Sequence, residues 1–186
     1  MKRITFIVLT LLLIAMVSCY RDDDSNRYIS LAIQDAVIFE NNQNYTLRDT
    51  IYVELNFDRY LDEEGYPNKL DIFESSGAES FRYDFGLNRD SDIAEGFRPV
   101  EISPEFLLAE KGTADRFGSA TAQLNPERTR YESRIGIILA EEGTFELDFT
   151  FINLYSTAYL EDKVEIEILH NFSSTPPNFQ FTVSAE

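Results

Sequence analysis

The chain contains no tryptophan, one cysteine and one histidine among its 186 residues. A single cysteine excludes an internal disulfide and a zinc site built from several thiolates. Basic residues are also scarce, because 16 Lys and Arg face 33 Asp and Glu, which gives a formal net charge of −17. A chain this acidic repels a phosphate backbone, so we predict that it does not bind nucleic acid.

The N-terminus carries a long uncharged stretch. Lys2 and Arg3 precede a 14-residue run without charge, Ile4 to Val17. A helix of that length, at ~1.5 Å per residue, falls short of the roughly 30 Å hydrocarbon core of a membrane. The run is therefore typical of a secretory signal rather than of a membrane span.

The end of this stretch carries the only cysteine. Met16-Val17-Ser18-Cys19 resembles a bacterial lipobox, in which the cysteine becomes the lipidated first residue of the mature protein. The resemblance implies that residues 1–18 are a lipoprotein signal peptide and that Cys19 attaches the chain to a membrane through its lipid. An ordinary cleaved signal peptide with an incidental cysteine is the alternative.

An acidic segment follows the cysteine directly. Asp22, Asp23 and Asp24 resemble the export signal of Bacteroidota surface lipoproteins. The resemblance implies an outer-membrane lipoprotein exposed on the cell surface, with the periplasmic face as the alternative. Acidic polar runs are also typical of disordered tethers, so we assign residues 19–27 as a flexible tether. Loss of residues 1–18 leaves 14 basic against 33 acidic residues, a charge of −19.

From residue 28 onwards, apolar and polar residues alternate, which is typical of antiparallel strands with one buried face. The clearest alternations cover residues 51–57, 81–85, 145–151, 164–168 and 179–183. Residues 28–39 indicate a first strand with a bend at Gln34-Asp35. We predict one all-β domain over residues 28–186, an antiparallel β-sandwich of about eight or nine strands, with a small β-barrel as the alternative.

Two short segments resemble immunoglobulin-like modules. Residues 143–147, Gly-Thr-Phe-Glu-Leu, stand where such modules often carry Gly-x-Tyr-x-Leu. Residues 46–53 resemble the entry into an early strand of secreted bacterial immunoglobulin-like domains. The resemblance implies an immunoglobulin-like sandwich. The chain departs from antibody domains, because Phe145 lacks the hydroxyl of a tyrosine corner and there is neither a cysteine pair nor a core tryptophan.

Two local patterns predict particular elements. Ser103 suits a helix cap, Pro104 the first helical position and Gly112 the exit, so we predict one short helix over Pro104–Lys111. The apolar runs 135–139 and 145–151 flank a short loop that ends in a glycine, and this pattern predicts a hairpin.

The sequence offers little for catalysis. His170 is the only imidazole, so any Ser-His-Asp triad would have to use it, yet no Gly-x-Ser-x-Gly elbow accompanies it. We predict that His170 is a structural residue at a strand end. Two suitably spaced carboxylates can hydrolyse a glycoside, but 33 acidic residues make chance pairs certain. We therefore predict no catalytic residue, no enzymatic activity and no cofactor.

A calcium site has a weak candidate. Asn88, Asp90 and Asp92 have the 1, 3, 5 spacing of a calcium-binding loop. Ile93 stands at the position of the EF-hand glycine, and Pro99 stands at that of the bidentate glutamate. The pattern thus fails at its two most diagnostic positions, and we assign no metal site.

Two surface features remain. Asp49-Thr50-Ile51 resembles the acceptor triplet for O-glycans in secreted Bacteroidota proteins, although Thr50 also suits the start of a strand. Tyr52, Tyr155 and Tyr159 are out of phase with their apolar neighbours. Tyrosines that expose one polar end suit interfaces, so these three suggest an interaction surface.

These features predict a lipid-anchored cell-envelope protein that acts as a non-enzymatic binding or interaction module, with an envelope protein or a glycan as its partner. The chain as a whole resembles Bacteroidota lipoproteins that carry an immunoglobulin-like domain. Two alternatives stay open. The chain would be a structural or assembly accessory of an envelope complex, or a glycan-active enzyme.

Overall fold

The computed structural model describes residues 28–39, 42–91, 93, 95–149, 152–158, 163–173 and 179–185. The predicted signal peptide, Cys19 and the three tether aspartates lie outside these residues. Nearly all of the regular secondary structure in the described part is strand, in mostly antiparallel sheets, and it confirms the predicted all-β, sandwich-like class. No helix among the described residues is long and apolar enough to cross a membrane.

The larger sheet has ten strands in the described chain. They are β1 (Tyr28–Gln34), β2 (Val37–Phe39), β4 (Thr50–Asp58), β7 (Ser80–Asp84), β10 (Leu107–Lys111), β11 (Thr113–Ala114), β12 (Ser119–Leu124), β13 (Arg130–Ile138), β15 (Asn153–Ser156) and β16 (Glu165–Asn171). Eight of them follow the order β1-β16-β15-β7-β12-β13-β4-β2, while β10 pairs with β13 and β11 with β12.

The second sheet has five strands among the described residues, in the order β3-β17-β14-β8-β9. They are β3 (Asn44–Thr46), β8 (Gly86–Asp90), β9 (Phe97–Pro99), β14 (Gly143–Asp148) and β17 (Gln180–Ser184). A small hairpin joins β5 (Tyr60–Leu61) to β6 (Leu70–Asp71), and helix α1 (Ile72–Ser76) follows it. The sequence predicted fewer strands because many of these are only two or three residues long.

One hydrophobic core receives side chains from both sheets. Every second residue of β4 is buried, as its alternation predicted. Phe57 stacks on Tyr131 with ring centroids 5.1 Å apart, and Phe81 meets Tyr131 edge-on at 4.9 Å. Burial of a large apolar side chain contributes ~1.5–3 kcal/mol, so this alternation stabilises the sandwich far more than any local turn does.

The first strand bridges the two ends of the larger sheet. Strands β1 and β2 stand at opposite ends of the strand order, although only Asp35 and Ala36 separate them in the chain. Strand β1 pairs in parallel with β16, and β2 pairs antiparallel with β4. Asp35 has a φ of 52°, a left-handed conformation that aspartate tolerates. The bend predicted at Gln34-Asp35 is confirmed.

The predicted hairpin of residues 135–139 with 145–151 is wrong. Strand β13 belongs to the larger sheet and β14 to the smaller one, so the loop between them crosses from sheet to sheet. Arg89 on β8 holds this loop, because its Nη1 contacts Glu141 Oε2 at 2.7 Å and its Nη2 donates to the Glu142 carbonyl at 2.9 Å. That contact comes from a remote residue, which a local turn pattern cannot reveal.

The prediction of a helix over Pro104–Lys111 is also wrong, because the α-helix of the described residues lies elsewhere. Pro104–Phe106 forms a single 3-10 turn, and the next five residues form β10. Strand β12 pairs with β13 only at Tyr131 and Glu132, and β10 pairs with the following part of β13. The free edge of β13 offers a row of unpaired backbone N–H and C=O groups. Pairing with this edge stabilises residues 107–111 as a strand more than the local capping pattern stabilises a helix.

The one α-helix in the described residues, α1, had clear signals of its own. The Asp71 carboxylate accepts from the Glu74 amide at 3.1 Å and caps its start. Gly77 ends it with a φ of 68°. Cap, acidic third residue and terminal glycine are the signature of a short helix.

Candidate functional site

A cleft of about 450 Å³ opens where β1 and β4 diverge. The Ala36 carbonyl accepts from the Asn56 amide at 2.9 Å, and β2 pairs with β4 only at residues 53–55. Before the bend, β1 instead follows β16. The part of β1 before the bend and the part of β4 after Leu55 therefore separate from each other. Residues in and beside the β5–β6 hairpin complete the walls of the cleft.

Two polar atoms in this cleft have no hydrogen-bond partner. Asn56 Oδ1 and Arg130 Nε are the two buried side-chain atoms of the described residues that lack one. Both residues line the same cleft. Both side chains lie on the outward face of the sheet. Arg130 pairs with Asp58 on the neighbouring strand β4, and Asn56 is two residues before Asp58, so all three side chains share one face. Buried polar groups in proteins almost always have partners, and an ordered water is the usual partner where no protein group lies close.

The charged groups of the cleft balance one another. Arg130 Nη2 lies 3.6 Å from Asp58 Oδ1, and Lys69 Nζ lies 3.9 Å from Asp62 Oδ2. Each acid thus has a basic neighbour. The four charged side chains that line the cleft therefore sum to zero, whereas the whole chain carries a formal charge of −17.

An ion pair beneath the hairpin fixes one wall of the cleft. Arg59 Nε donates to Asp71 Oδ1 at 2.7 Å, and its Nη1 donates to the Arg128 carbonyl at 3.3 Å. The Asp71 carboxylate raises the pKa of Arg59, and in return Arg59 lowers the pKa of Asp71. The Arg59 guanidinium also lies 5.3 Å from the ring centroid of Tyr60. Tyr60 is thereby placed at the rim of the cleft with 48% of its surface exposed.

His170 lies beside the bend of the first strand and is buried near the end of β16. Its Nε2 accepts from the Val37 amide at 3.4 Å, and its ring meets Phe172 edge-on at 4.7 Å. Burial lowers the pKa of His170. The Ser173 hydroxyl donates to Asp35 rather than to the imidazole. The three side chains therefore lie together without the serine-to-histidine hydrogen bond of a catalytic triad.

The tyrosines that the sequence suggests as an interaction surface, Tyr52, Tyr155 and Tyr159, do not share one environment. Tyr52 is partly exposed on β4, where its hydroxyl donates to Glu110 at 3.0 Å and Arg134 covers its ring at 4.0 Å. The hydrogen bond to Glu110 raises the pKa of Tyr52. Tyr155 on β15 accepts from Asn153 at 3.4 Å. Tyr159 lies outside the described residues. Because Arg134 and Glu110 already occupy Tyr52, the cleft is the stronger candidate for binding.

The calcium candidates do not form a loop. Asn88 and Asp90 lie on strand β8, and Asp92 lies outside the described residues. Across the described chain, no group of three or more His, Cys, Asp or Glu side chains could hold a metal ion. The glycosylation candidate Thr50 begins β4 and is half-buried. The Asp49 carboxylate beside it accepts from the Thr46 amide at 2.7 Å.

Sequence reasoning missed the cleft. Arg130 lies far from Asn56 and Tyr60 in the chain, and each of the three fits its local alternation as an ordinary outward residue. The bend at Gln34-Asp35 was the only visible signal. It predicts that the strand turns, but it does not predict which strand edges separate there.

Comparison with known proteins assigns no family. No protein-family model matches the chain, and no curated protein is significantly similar to it.

Proposed function

We propose that this chain is a lipid-anchored protein of the cell envelope, displayed on the outer surface, that binds a partner instead of catalysing a reaction. The observation that carries the binding role is the cleft between β1 and β4, whose lining includes two acidic side chains, two basic side chains and the exposed ring of Tyr60. A cleft of about 450 Å³ is within the usual size range of small-ligand sites.

The charge arrangement supports a role without catalysis. Glycoside hydrolysis needs one carboxylic acid that is protonated and a second that is ionised. In the cleft, the Asp58 carboxylate lies 3.6 Å from Arg130 Nη2 and the Asp62 carboxylate lies 3.9 Å from Lys69 Nζ. These two ion pairs suit the rigid wall of a binding cleft better than they suit the general acid and base of a glycoside hydrolase.

The anchor and the location rest on the sequence. Cys19 and the aspartates 22–24 resemble the lipidation and export signals of Bacteroidota surface lipoproteins. The immunoglobulin-like character of the sandwich is part of the same proposal. Two or more acyl chains on a cysteine hold a protein stably at a membrane, because each buried CH₂ contributes ~0.8 kcal/mol.

Fractionation of cells that produce the full chain tests the anchor. We expect wild-type protein in the membrane fraction with incorporated labelled fatty acid, and Cys19→Ala protein in the soluble fraction without label. A Cys19→Ala variant that still pellets and takes up label would overturn the anchor. Protease treatment of intact cells then reports the face, because a surface protein is degraded and a periplasmic one is protected.

Site-directed photocrosslinking in the native envelope tests the binding role. A photoreactive residue at Ala32, which is exposed and lines the cleft, is compared with one at Thr113, which is exposed on β11. We expect position 32 to capture a partner and position 113 to capture none. Equal capture at both positions, or none at either, contradicts a binding role for the cleft.

A further inference from the structure

We propose that the cleft between β1 and β4 binds an extended, basic peptide segment of a partner protein, which adds a strand between these two strand edges. This inference rests on the proposed binding function and names the class of its ligand. Three properties of the cleft support it: the direction of its backbone groups, its apolar floor and the charge around its edge.

Strand β1 turns a row of backbone groups towards the cleft. The Asp35 amide donates to the Asn171 carbonyl at 3.0 Å, and β1 keeps one continuous register with β16. In an extended strand, the backbone groups of successive residues point to opposite edges. The odd-numbered residues of β1 therefore bond to β16, and the N–H and C=O groups of Ser30, Ala32 and Gln34 point to the other edge. All three residues are exposed, so an added strand can reach these groups.

Strand β4 turns a shorter row of the same kind towards the cleft. The Asn56 amide donates to the Ala36 carbonyl at 2.9 Å, whereas the Arg59 amide donates to the Thr129 carbonyl, beside β13, at 2.9 Å. The even-numbered residues at this end of β4 therefore point away from β13. The N–H of Asp58, an exposed residue that lines the cleft, then faces the opening. A strand that enters the cleft can thus bond to both walls.

Strand β1 lacks the features that protect the other edge strands. Strands β2, β3 and β9 of the described chain have three residues each, and β9 contains Pro99. Strand β10 carries Glu110 and Lys111, and its register shifts between Ala109 and Lys111. Strand β1 has seven residues without a charge, a proline or a register shift. Short length, charge, proline and bulges are what keep strand edges unpaired, so this edge favours an added strand.

The floor of the cleft determines the pattern of the peptide. Ile33, Phe57 and Leu61 line the cleft and belong to the hydrophobic core. A strand in the cleft turns alternate side chains towards them, so apolar residues suit those positions and polar residues the positions between. One residue of a packed sheet occupies ~160 Å³, from a rise of about 3.3 Å and spacings of about 4.8 and 10 Å. The cleft of about 450 Å³ therefore holds about three residues of such a strand.

The charge around the edge favours a basic peptide. Strands β1, β15 and β16 contain no Lys or Arg, and their acidic residues are Glu165 and Glu167. Glu167 pairs with Ser30 of β1, whose small side chain leaves room for a lysine or arginine of an added strand to reach across it. The formal charge of −17 on the whole chain adds long-range attraction for a cation.

A second copy of the chain is the competing occupant. The charge of −17 on each copy opposes their association. The β1 edge of a second copy would also bring its own β16 into the cleft, whereas residues of β4 and of the β5–β6 hairpin wall the far side. A free peptide segment avoids both penalties.

Calorimetric titration of the purified full chain in detergent tests the peptide. The probes are short peptides that alternate valine and threonine, with lysines, glutamates or no charge at both ends, and a lysine-ended peptide with methylated backbone amides. We expect the lysine-ended peptide to bind most tightly, and salt to weaken its binding. Methylation should abolish binding, because a methylated amide cannot donate to a strand edge. Binding of the methylated peptide, preference for the glutamate-ended peptide, or no binding of any probe overturns the inference.

A proline at position 32 tests the edge of β1. Ala32→Pro removes an N–H that points to the cleft and leaves the bonds to β16 in place, and edge strands tolerate proline at such positions. We expect about tenfold weaker binding of the lysine-ended peptide, the loss of one hydrogen bond. Ala32→Ser keeps the N–H and is the matched control with full affinity. Equal affinity of the two variants contradicts strand addition at β1.

Amide hydrogen exchange of the wild-type chain decides the question even where Ala32→Pro does not fold. The amides of Leu31 and Ile33 bond to β16 and should exchange slowly with or without the lysine-ended peptide. The amides of Ala32, Gln34 and Asp58 should exchange rapidly in the free chain and about tenfold or more slowly in the complex. A complex that slows none of these three amides overturns the inference.

The outcomes distinguish the inference from the function beneath it. Capture by a photoreactive residue at position 32 in the envelope, without binding of any peptide probe, overturns the peptide and keeps the binding module. A dimer of the free chain that Ala32→Pro dissociates assigns the edge to a second copy and also overturns the peptide. Absence of both capture and peptide binding overturns both proposals.

Discussion

The Val37 backbone N–H donates to Nε2 of His170 at 3.4 Å, beside the point where the first strand passes from β16 to β4. The imidazole therefore accepts in its neutral form. Protonation would place a second donor against the Val37 amide inside a buried site. We therefore expect this contact to make the stability of the protein depend on pH.

Acidification should destabilise the protein through His170. Burial lowers its pKa in the folded chain, and the Asp35 carboxylate opposes this shift only in part. The unfolded chain therefore binds the proton more readily, so stability is complete above the unfolded pKa of about 6.5 and is lost as pH falls below it. We expect the melting temperature to fall between about pH 7 and pH 5.

An His170→Asn variant is the control for this effect. Asparagine can still accept from Val37 but does not titrate, so its melting temperature should stay nearly constant over the same pH range. An equal fall in the wild type and the variant would assign the effect to the carboxylates instead.

Removal of one buried hydroxyl should weaken the core. Tyr131 donates to the Ala78 carbonyl at 2.7 Å within the buried aromatic cluster. Tyr131→Phe removes this donor and should lower the free energy of unfolding by about 1–3 kcal/mol in a urea titration. Tyr52→Phe removes an exposed hydroxyl and should cost roughly 0.5 kcal/mol or less. Similar losses in the two variants would contradict a buried role for the Tyr131 hydroxyl.

Two glycines with similar backbones should respond differently to alanine. Gly118 and Gly65 have φ values of 83° and 86°. A Cβ at Gly118 would lie 1.9 Å from the Phe85 carbonyl oxygen, whereas one at Gly65 meets nothing within 4 Å. Gly65→Ala should cost ~1–2 kcal/mol from the left-handed backbone alone. Gly118→Ala should cost considerably more or prevent folding, as judged by soluble yield and unfolding. Equal costs would rule out the clash.

The Arg59–Asp71 ion pair should contribute more than a surface pair does. The side chains are only 16% and 23% exposed, and Asp71 also caps α1. Asp71→Ala removes the cap and leaves Arg59 without its partner, so we expect a loss of about 2 kcal/mol. Glu101→Ala breaks an exposed pair with Arg116 at 3.2 Å and should change stability by less than about 0.5 kcal/mol. Chemical unfolding of both variants measures the difference.

The strands were predictable where burial alternates along one segment. Every second residue of β4 is buried, so its sequence pattern and its structure coincide. The prediction failed where a residue or strand far away in the chain determines the local structure. Leu107–Lys111 is a strand because β13 offers an edge to it, and Arg89 holds the crossing loop from another sheet.

The candidate site depends on remote partners throughout. Asn56 and Arg130 lie on paired strands, and what makes them a site is the divergence of β1 from β4 beside them. No local pattern contains that divergence. The sequence predicts the bend at Asp35, but the separation of β1 from β4 that follows it depends on the tertiary structure.

The parallel pairing of β1 with β16 has a mechanical consequence. With the proposed anchor at Cys19, traction on the protein enters the fold at Tyr28, the first residue of β1. A pull along β1 loads the ladder from Tyr28↔Glu165 to Gln34↔Asn171 in shear, so its hydrogen bonds must break together rather than one after another. A seven-residue strand loaded in this way resists detachment by flow or by a bound partner that pulls on the cleft.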